Sequence, residues 1–275
     1  MASMNGPAIS LSKTVVEDPG QKVRPGIELA NLTDAGCQRV DNEDYYCYAE
    51  PDSDVDFPRK GRLAVIADGM GGHRGGQVAS GIAVESVRSA YLGGDANSPD
   101  ESLAEALHAA HLAIRDCAQQ HPEFEGMGTT CIAAVLCGSQ LHYIHVGDSR
   151  LYLLRNSSLT QLTEDHTVVN RLLQEGQLTP TEAAKHPERG VLTAALGARD
   201  TLFAEAPEAP IPLEPGDVLL MCTDGLHDLV EDHELAAIAG ENSPSAACRL
   251  LIDLARSRGG FDNMTVQILK FLGSS

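Results

Sequence analysis

Five stretches of this 275-residue chain set an acidic side chain beside glycine or a tight turn, where an apolar run starts or stops. They hold Glu43 with Asp44, Asp68, Asp148, Asp224 and Asp262. Read singly, an Asp-Gly is an ordinary strand-to-helix turn. Five sites of one chemical type at strand ends are hard to explain unless folding makes them converge. Like charges gathered in one cleft repel and are partly protonated, so convergence implies bound cations. The donors are all oxygens, with no His or Cys at matching positions, which fits Mg²⁺ or Mn²⁺ and disfavours zinc. Two hard cations bridged by a carboxylate suit phosphoester hydrolysis, because they lower the pKa of bound water toward about 7 and clamp the oxygens of an in-line displacement. Asp68, in the sharpest turn, is the carboxylate expected to reach both ions. Arg39, four residues before Glu43, is placed to bind phosphate bidentately. A surface salt bridge is the competing reading of the same arginine.

The elements that must position these groups are legible as apolar runs. Residues 63–67 have the length of a buried strand ending at Asp68, followed by glycines at 69, 71, 72, 75 and 76. A helix follows, with Ala79, Ile82, Ala83, Val87, Ala90 and Tyr91 on one stripe. Glycine there permits a sharp bend and a close approach of backbone to ligand. A nucleotide-phosphate loop is excluded, because the sixth position of the pattern G-x-G-x-x-G counted from Gly69 is Arg74 and no G-x-x-x-x-G-K-[ST] occurs. Upstream, residues 27–32 and 45–48 read as strands and 50–61 as a hairpin loop. Ser98, Pro99 and Glu101 spell a helix start, and Leu103, Ala106, Leu107, Ala110, Ile114 and Cys117 give that helix its apolar stripe.

Four β-prone runs follow at 129–135, 141–146, 151–154 and 159–162. Their short connections predict antiparallel neighbours, since a parallel crossover needs a dozen or more residues. Residues 164–199 break the pattern and read as an insertion, with a helical segment at 167–175 and a second helix start at Thr179. A run at 218–223 leads into Asp224-Gly225. Helices are expected at 232–239 and 244–257, and a last strand at 265–271. With no internal repeat and no composition break, one domain is expected over 24–273, preceded by a disordered tail at 1–23.

Hydrophobic residues make up 43% of the chain, enough for a full core. The net charge of −19 argues against nucleic acid or an anionic membrane as the main partner. Seven cysteines, odd in number and without C-x-x-C spacing, suit a reducing cytoplasm with neither zinc nor disulfides. No signal-peptide core opens the chain, and no apolar run approaches the ~20 residues of a membrane helix. A cytoplasmic protein is expected.

Seven motifs, in order, resemble the metal-dependent serine/threonine protein phosphatases of type 2C (the PPM family) in their bacterial form. They are R-V-D-N-E-D (39–44), D-G-M-G-G-H (68–73), G-M-G-T-T (126–130), H-V-G-D-S-R (145–150), V-L-T-A-A-L-G (191–197), T-D-G-L (223–226) and D-N-M-T-V (262–266). The resemblance covers about nine-tenths of the chain. It implies an α+β fold, a four-layer α/β/β/α sandwich with two central antiparallel sheets flanked by helices. It also implies an Mn²⁺ or Mg²⁺ pair held by Asp68, the Gly69 carbonyl, Asp224 and Asp262, and a third ion at Asp148 with Asp224. Glu43 and Asp44 would act through metal-bound waters, and Arg39 would bind substrate phosphate. Residues 165–197 would form a mobile flap beside the cleft.

By the same resemblance, metal-bound hydroxide attacks phosphoserine or phosphothreonine in proteins, without a phosphoenzyme and in opposition to a serine/threonine kinase. The partners implied are phosphoproteins and that kinase, with the chain a monomer. Two departures stand out. Met70 occupies the position where animal and plant members carry a histidine assigned as general acid, which leaves His73 as either that acid or a loop-ordering residue. His227 replaces a common Trp or Thr, and a satisfied loop histidine is expected there. A catalytically inactive phosphoprotein-binding regulator is the alternative reading, and a dedicated anti-sigma-factor antagonist phosphatase a third.

Overall fold

In the computed structural model, the described residues are 23–71, 75–95 and 97–273. Residues 1–22 of the tail expected at 1–23, and the expected catalytic His73, lie outside them. One antiparallel sheet runs in the order β1 (Ile27–Asp34), β11 (Met264–Phe271), β10 (Val218–Cys222), β7 (Arg150–Arg155), β8 (Ser158–Gln161). The other runs β2 (Asp44–Ala49), β3 (Arg62–Met70), β5 (Cys131–Cys137), β6 (Gln140–Val146), β9 (Ile211–Pro212), with the two-residue β4 (Gly128–Thr129) pairing on β3. Every pairing is antiparallel.

The strand sequences explain the layers. Along β3, Ala64 and Ile66 face the opposite sheet, and meet Ile132, Leu151, Leu219 and Met221 in the inter-sheet core. The alternate residues Leu63, Val65 and Ala67 face outward and are as fully buried, against Ala83, Val87, Leu103, Leu107 and Ile114 of two long helices, α2 (Gly75–Gly93) and α3 (Pro99–Gln120). A strand buried on both faces reads as a continuous apolar run rather than an alternating one. The second sheet is covered likewise by α7 (Asp232–Glu241) and α8 (Pro244–Ser257), through Leu235, Ala247, Leu251 and Ile252 packed on Leu220, Val266 and Ile268. Four layers result, as the resemblance implied.

Helix starts follow the capping chemistry. The Ser98 hydroxyl accepts from the Glu101 amide at 3.2 Å, and Pro99 takes the first helical position, where its missing N–H is not needed. Short helices fill the connections: α1 (Phe57–Lys60), α4 (Val168–Gln174), α5 (Pro180–Ala183) and α6 (Asp224–His227). Helices α4 and α5 lie in the expected insertion. Its base is closed by Val168 and Thr193, whose amides donate to the Val191 and His166 carbonyls at 2.9 and 2.8 Å.

One expectation fails. Strands β6 and β7 are only three residues apart, yet they do not pair; each belongs to a different sheet. Gly147, at φ +98°, turns the chain out of one sheet and into the other. A side chain there would also strike Thr130 at 2.5 Å.

Candidate metal centre

That crossing carries Asp148 to the edge of the sandwich where the other strands end. In the β2–β3 register Asp44 sits directly opposite Asp68. The run of β10 stops at Cys222, and Asp224 opens α6. Asp262 and Asn263 lead into β11. Arg39, Glu43, Asp68, Gly69, Asp148, Asp224 and Asp262 line one cleft of about 320 Å³ together with Met70. Asp44 is 5% exposed, behind its partner Asp68. Every site residue expected from the sequence and described in the structure is therefore brought to this place.

Backbone chemistry holds it rigid. A Cβ on Gly69 would lie 2.0 Å from the Gly76 carbonyl oxygen, and one on Gly76 would meet Glu43 Oε1 at 2.7 Å. Only glycine lets the end of β3 and the start of α2 approach so closely. The Asp68 amide donates to Thr130 Oγ1 at 2.9 Å, and that hydroxyl bonds Ser149 Oγ at 2.7 Å, tying Asp68 to the Asp148 turn. Asn263 pins the loop at 35–43 at three points: its Nδ2 donates to the Ala35 and Asp41 carbonyls at 3.1 and 3.0 Å, and its Oδ1 accepts from the Glu43 amide at 2.8 Å. Asp44 Oδ2 accepts from Thr223 and Thr265 hydroxyls at 2.8 and 2.6 Å.

Electrostatics show what is missing from a purely protein site. Desolvation pushes Asp68 and Asp148 well above the usual carboxylate range, reinforced for Asp68 by the charges of Asp44, Asp224 and Asp148. Desolvation raises Asp224 as well, and takes Asp44 up to about 7 against the two threonine hydroxyls that hold its charged form. The nearby Asp224 carboxylate adds to the upward push on Asp68, since like charges in one cleft resist ionising together. Oδ1 of Asp44 and Oδ1 of Asp224 are buried without a hydrogen-bond partner. Arg39 is the nearby cation, with Nη2 at 2.7 Å from Asp262 Oδ2; both side chains are partly exposed. An oxygen-only donor set with surplus buried negative charge and orphaned carboxylate oxygens fits hard divalent ions. The carboxylates are not tightly drawn in: among the described residues, no three of them offer oxygens all within 4.8 Å of one another. Such spacing suits ions that keep part of their water rather than one closely wrapped ion.

Two residues matter more than the sequence suggested. His227 is buried and kept neutral by desolvation, and its Nε2 stands 3.0 Å from the Asp148 carbonyl oxygen and donates to it, while Nδ1 has no hydrogen-bond partner. The expected satisfied loop histidine is thus only half satisfied, and it holds the Asp148 turn against α6. Arg150 forms a bidentate pair with Asp165, Nη2 to Oδ2 at 2.6 Å and Nε to Oδ1 at 2.9 Å, fixing the flap base to β7. The signals were present, in hydroxyls at the ends of apolar runs and an arginine after Asp148, but only tertiary contacts give them roles. Beside the cleft lies a second cavity of about 600 Å³, bounded by Asp148, Asp224, Phe261 and the flap residues Leu173, Ala183 and Arg189.

Sheets meeting at an acidic edge, with arginine beside it, define a hydrolase of phosphate esters. Residues 52–245 match the family described as protein phosphatase 2C. The chain belongs to this family, and is an enzyme, a protein phosphatase. It is 35% identical to the protein phosphatase PhpP of Streptococcus pneumoniae over 247 residues, covering 88% of this chain and 97% of that one. The crystal structure of the serine/threonine phosphatase Stp1 from Staphylococcus aureus matches with a TM-score of 0.82 at 28% identity, covering 94% of this chain and 100% of that one. The catalytic domain of the phosphatase PstP, solved in complex with two manganese ions, matches with a TM-score of 0.77 at 32% identity, covering 90% of this chain and 99% of that one. Both structures share the two antiparallel sheets flanked by helices.

Proposed function

We propose that this phosphatase hydrolyses phosphoserine and phosphothreonine in proteins at a binuclear Mn²⁺ or Mg²⁺ centre, opposing a serine/threonine kinase. One observation carries the reading: four desolvated aspartates, contributed by both sheets, meet in one basin whose surplus of buried negative charge calls for hard divalent ions. The two manganese ions in the PstP structure support the metal count. Asp68, the Gly69 carbonyl, Asp224 and Asp262 are the groups that hold the pair. Asp148 with Asp224 would hold a third ion. When bound, such ions acidify water and neutralise charge on phosphate oxygens.

The chain's own residues do the rest. Arg39 exchanges its hold on Asp262 for the substrate phosphate, which a planar guanidinium binds at two oxygens. Glu43 and Asp44 orient water in the basin, the latter through the Oδ1 that no protein donor reaches. His73 is the candidate proton donor to the leaving serine or threonine oxygen. The flap at 165–197 borders the cleft through Gly190 and Leu192, where the polypeptide around the phosphoresidue must lie. A single domain over 24–273 carries the activity, acting as a monomer on phosphoproteins in the cytoplasm and not on nucleic acid. No helix among the described residues is long and apolar enough to cross a membrane. An inactive phosphoprotein-binding role is disfavoured, since every expected carboxylate is present.

The purified chain should release phosphate from p-nitrophenyl phosphate and a phosphothreonine peptide only with Mn²⁺ or Mg²⁺. Turnover in a chelator, or full turnover by Asp224→Asn, contradicts the reading.

A further inference from the structure

A second cluster, outside the acidic basin, has the opposite donor chemistry. His145 at the end of β6, His166 at the base of the flap and Glu205 each offer one donor atom, all within 4.8 Å of one another. The histidines are 2% and 6% exposed. His145 Nδ1 and His166 Nε2 are both buried without a hydrogen-bond partner. Glu205 is fixed beside them by two backbone hydrogen bonds with His145, at 2.8 and 2.9 Å, and its Oε2 stands 3.4 Å from His166 Nε2. The two rings stack with centroids 4.7 Å apart, and Phe203 closes the outer side of His166 at 5.1 Å. Two imidazole nitrogens and a carboxylate, with polar capacity left over, are a donor set for a borderline ion rather than a hard one.

We propose that His145, His166 and Glu205 form a separate site for a zinc-class divalent cation, and that occupancy of this site loosens the turn carrying Asp148. His145 is already set for the task. Its Nε2 donates to the Glu164 carbonyl at 2.9 Å, as the outer nitrogen of a metal-bound histidine does, which leaves Nδ1 with a free lone pair. Burial also keeps that ring neutral. His166 supplies the coupling. Its Nδ1 accepts from the Gly147 amide at 3.1 Å, so in the metal-free protein its proton is on Nε2. An ion at Nε2 displaces that proton, and the ring then carries its proton on Nδ1, where two N–H groups face each other. The Gly147 bond and the ion exclude one another. Gly147 is the residue that passes the chain between the sheets and immediately precedes Asp148. Zinc at this site is therefore inhibitory, and by linkage, ions bound at Asp148 weaken it in return.

The test is calorimetric titration of ZnCl₂ into the magnesium-saturated full chain, its Glu205→Gln variant and its His145→Gln variant. The visible spectrum of the Co²⁺-substituted protein serves as a reporter of nitrogen ligation. The expected result is one zinc equivalent that both variants lose, a Co²⁺ band that disappears with it, and zinc inhibition of turnover that persists in the wild type only. Glu205 is partly exposed, so its variant tests the site without opening the core. Zinc stoichiometry and affinity equal in all three proteins would overturn the proposal. Because binding is read directly, the result stands apart from whether the acidic basin performs the phosphatase reaction.

Discussion

The acidic basin and the histidine cluster are neighbours built on opposite principles. The basin draws Glu43, Asp44, Asp68, Asp148, Asp224 and Asp262 from both sheets, and its buried carboxylates are held in an unfavourable state. The cluster draws two imidazoles and one partly exposed carboxylate from the rim of a single sheet and the flap, and so gathers far less negative charge. A buried charge demands a counterion, whereas a buried neutral ring with one orphaned nitrogen merely accepts one. The basin should therefore dominate how stability and activity respond to cations and pH, with the cluster a minor partner.

The widest contrast is catalytic. Asp224→Asn should lower turnover by about 10²–10³-fold or more, on the scale of losing one preorganised charge-stabilising group, while Glu205→Gln measured in the same Mn²⁺-dependent phosphate-release assay stays near wild type. Equal losses would erase the distinction between the two regions.

Next is the pH dependence of the metal-free protein. A carboxyl whose folded pKa exceeds its unfolded value binds more protons when folded, so the stability it contributes is full below the unfolded pKa and is lost as pH rises through the folded one. For Asp44 that window runs from its ordinary value of 3.8 to about 7. Asp68, Asp148 and Asp224 push in the same direction. The melting temperature in chelator should fall as pH rises through this window, and the gain on adding Mn²⁺ should be larger at the alkaline end. Scanning calorimetry across the window checks this, and Asp68→Asn should flatten the slope. A metal-free protein that grows more stable toward neutrality would show that the basin is not strained.

Arg39→Ala separates substrate binding from folding. The Arg39–Asp262 pair is partly exposed and worth about 0–1 kcal/mol, so the melting temperature should barely move while KM for a phosphopeptide rises roughly tenfold, the equivalent of about 1.4 kcal/mol. Smallest is the effect at His227. His227→Leu removes the donor to the Asp148 carbonyl, about 1 kcal/mol of hydrogen bonding, and should weaken the most loosely bound of the Mn²⁺ equivalents in calorimetry. His227→Gln, which can restore a donor, should recover part of it.

The amino-acid sequence displayed the basin well, because each carboxylate closes or opens an apolar run and glycine marks the places where backbones touch. Asp68, Asp148, Asp224 and Asp262 needed only that pattern. The crossing at Gly147 was hidden for a physical reason: both sheets bury their strands on two faces, so the apolar runs of β6 and β7 carry no sign of which sheet each belongs to. Thr130, Thr223, Thr265 and Asn263 looked like strand-end polar residues, since their roles lie in partners 19 to 221 residues away. His145, His166 and Glu205 have no regular spacing, and only the flap's return past β6 puts them together.

The split origin of the basin has a kinetic corollary. A half-assembled chain, with one sheet formed and the other still unravelled, owns only part of the ligand set and cannot capture ions in a chelate. Divalent ions in the surrounding medium thus act as a late latch: they prolong the lifetime of the finished molecule by retarding its opening, and leave the speed of its assembly untouched.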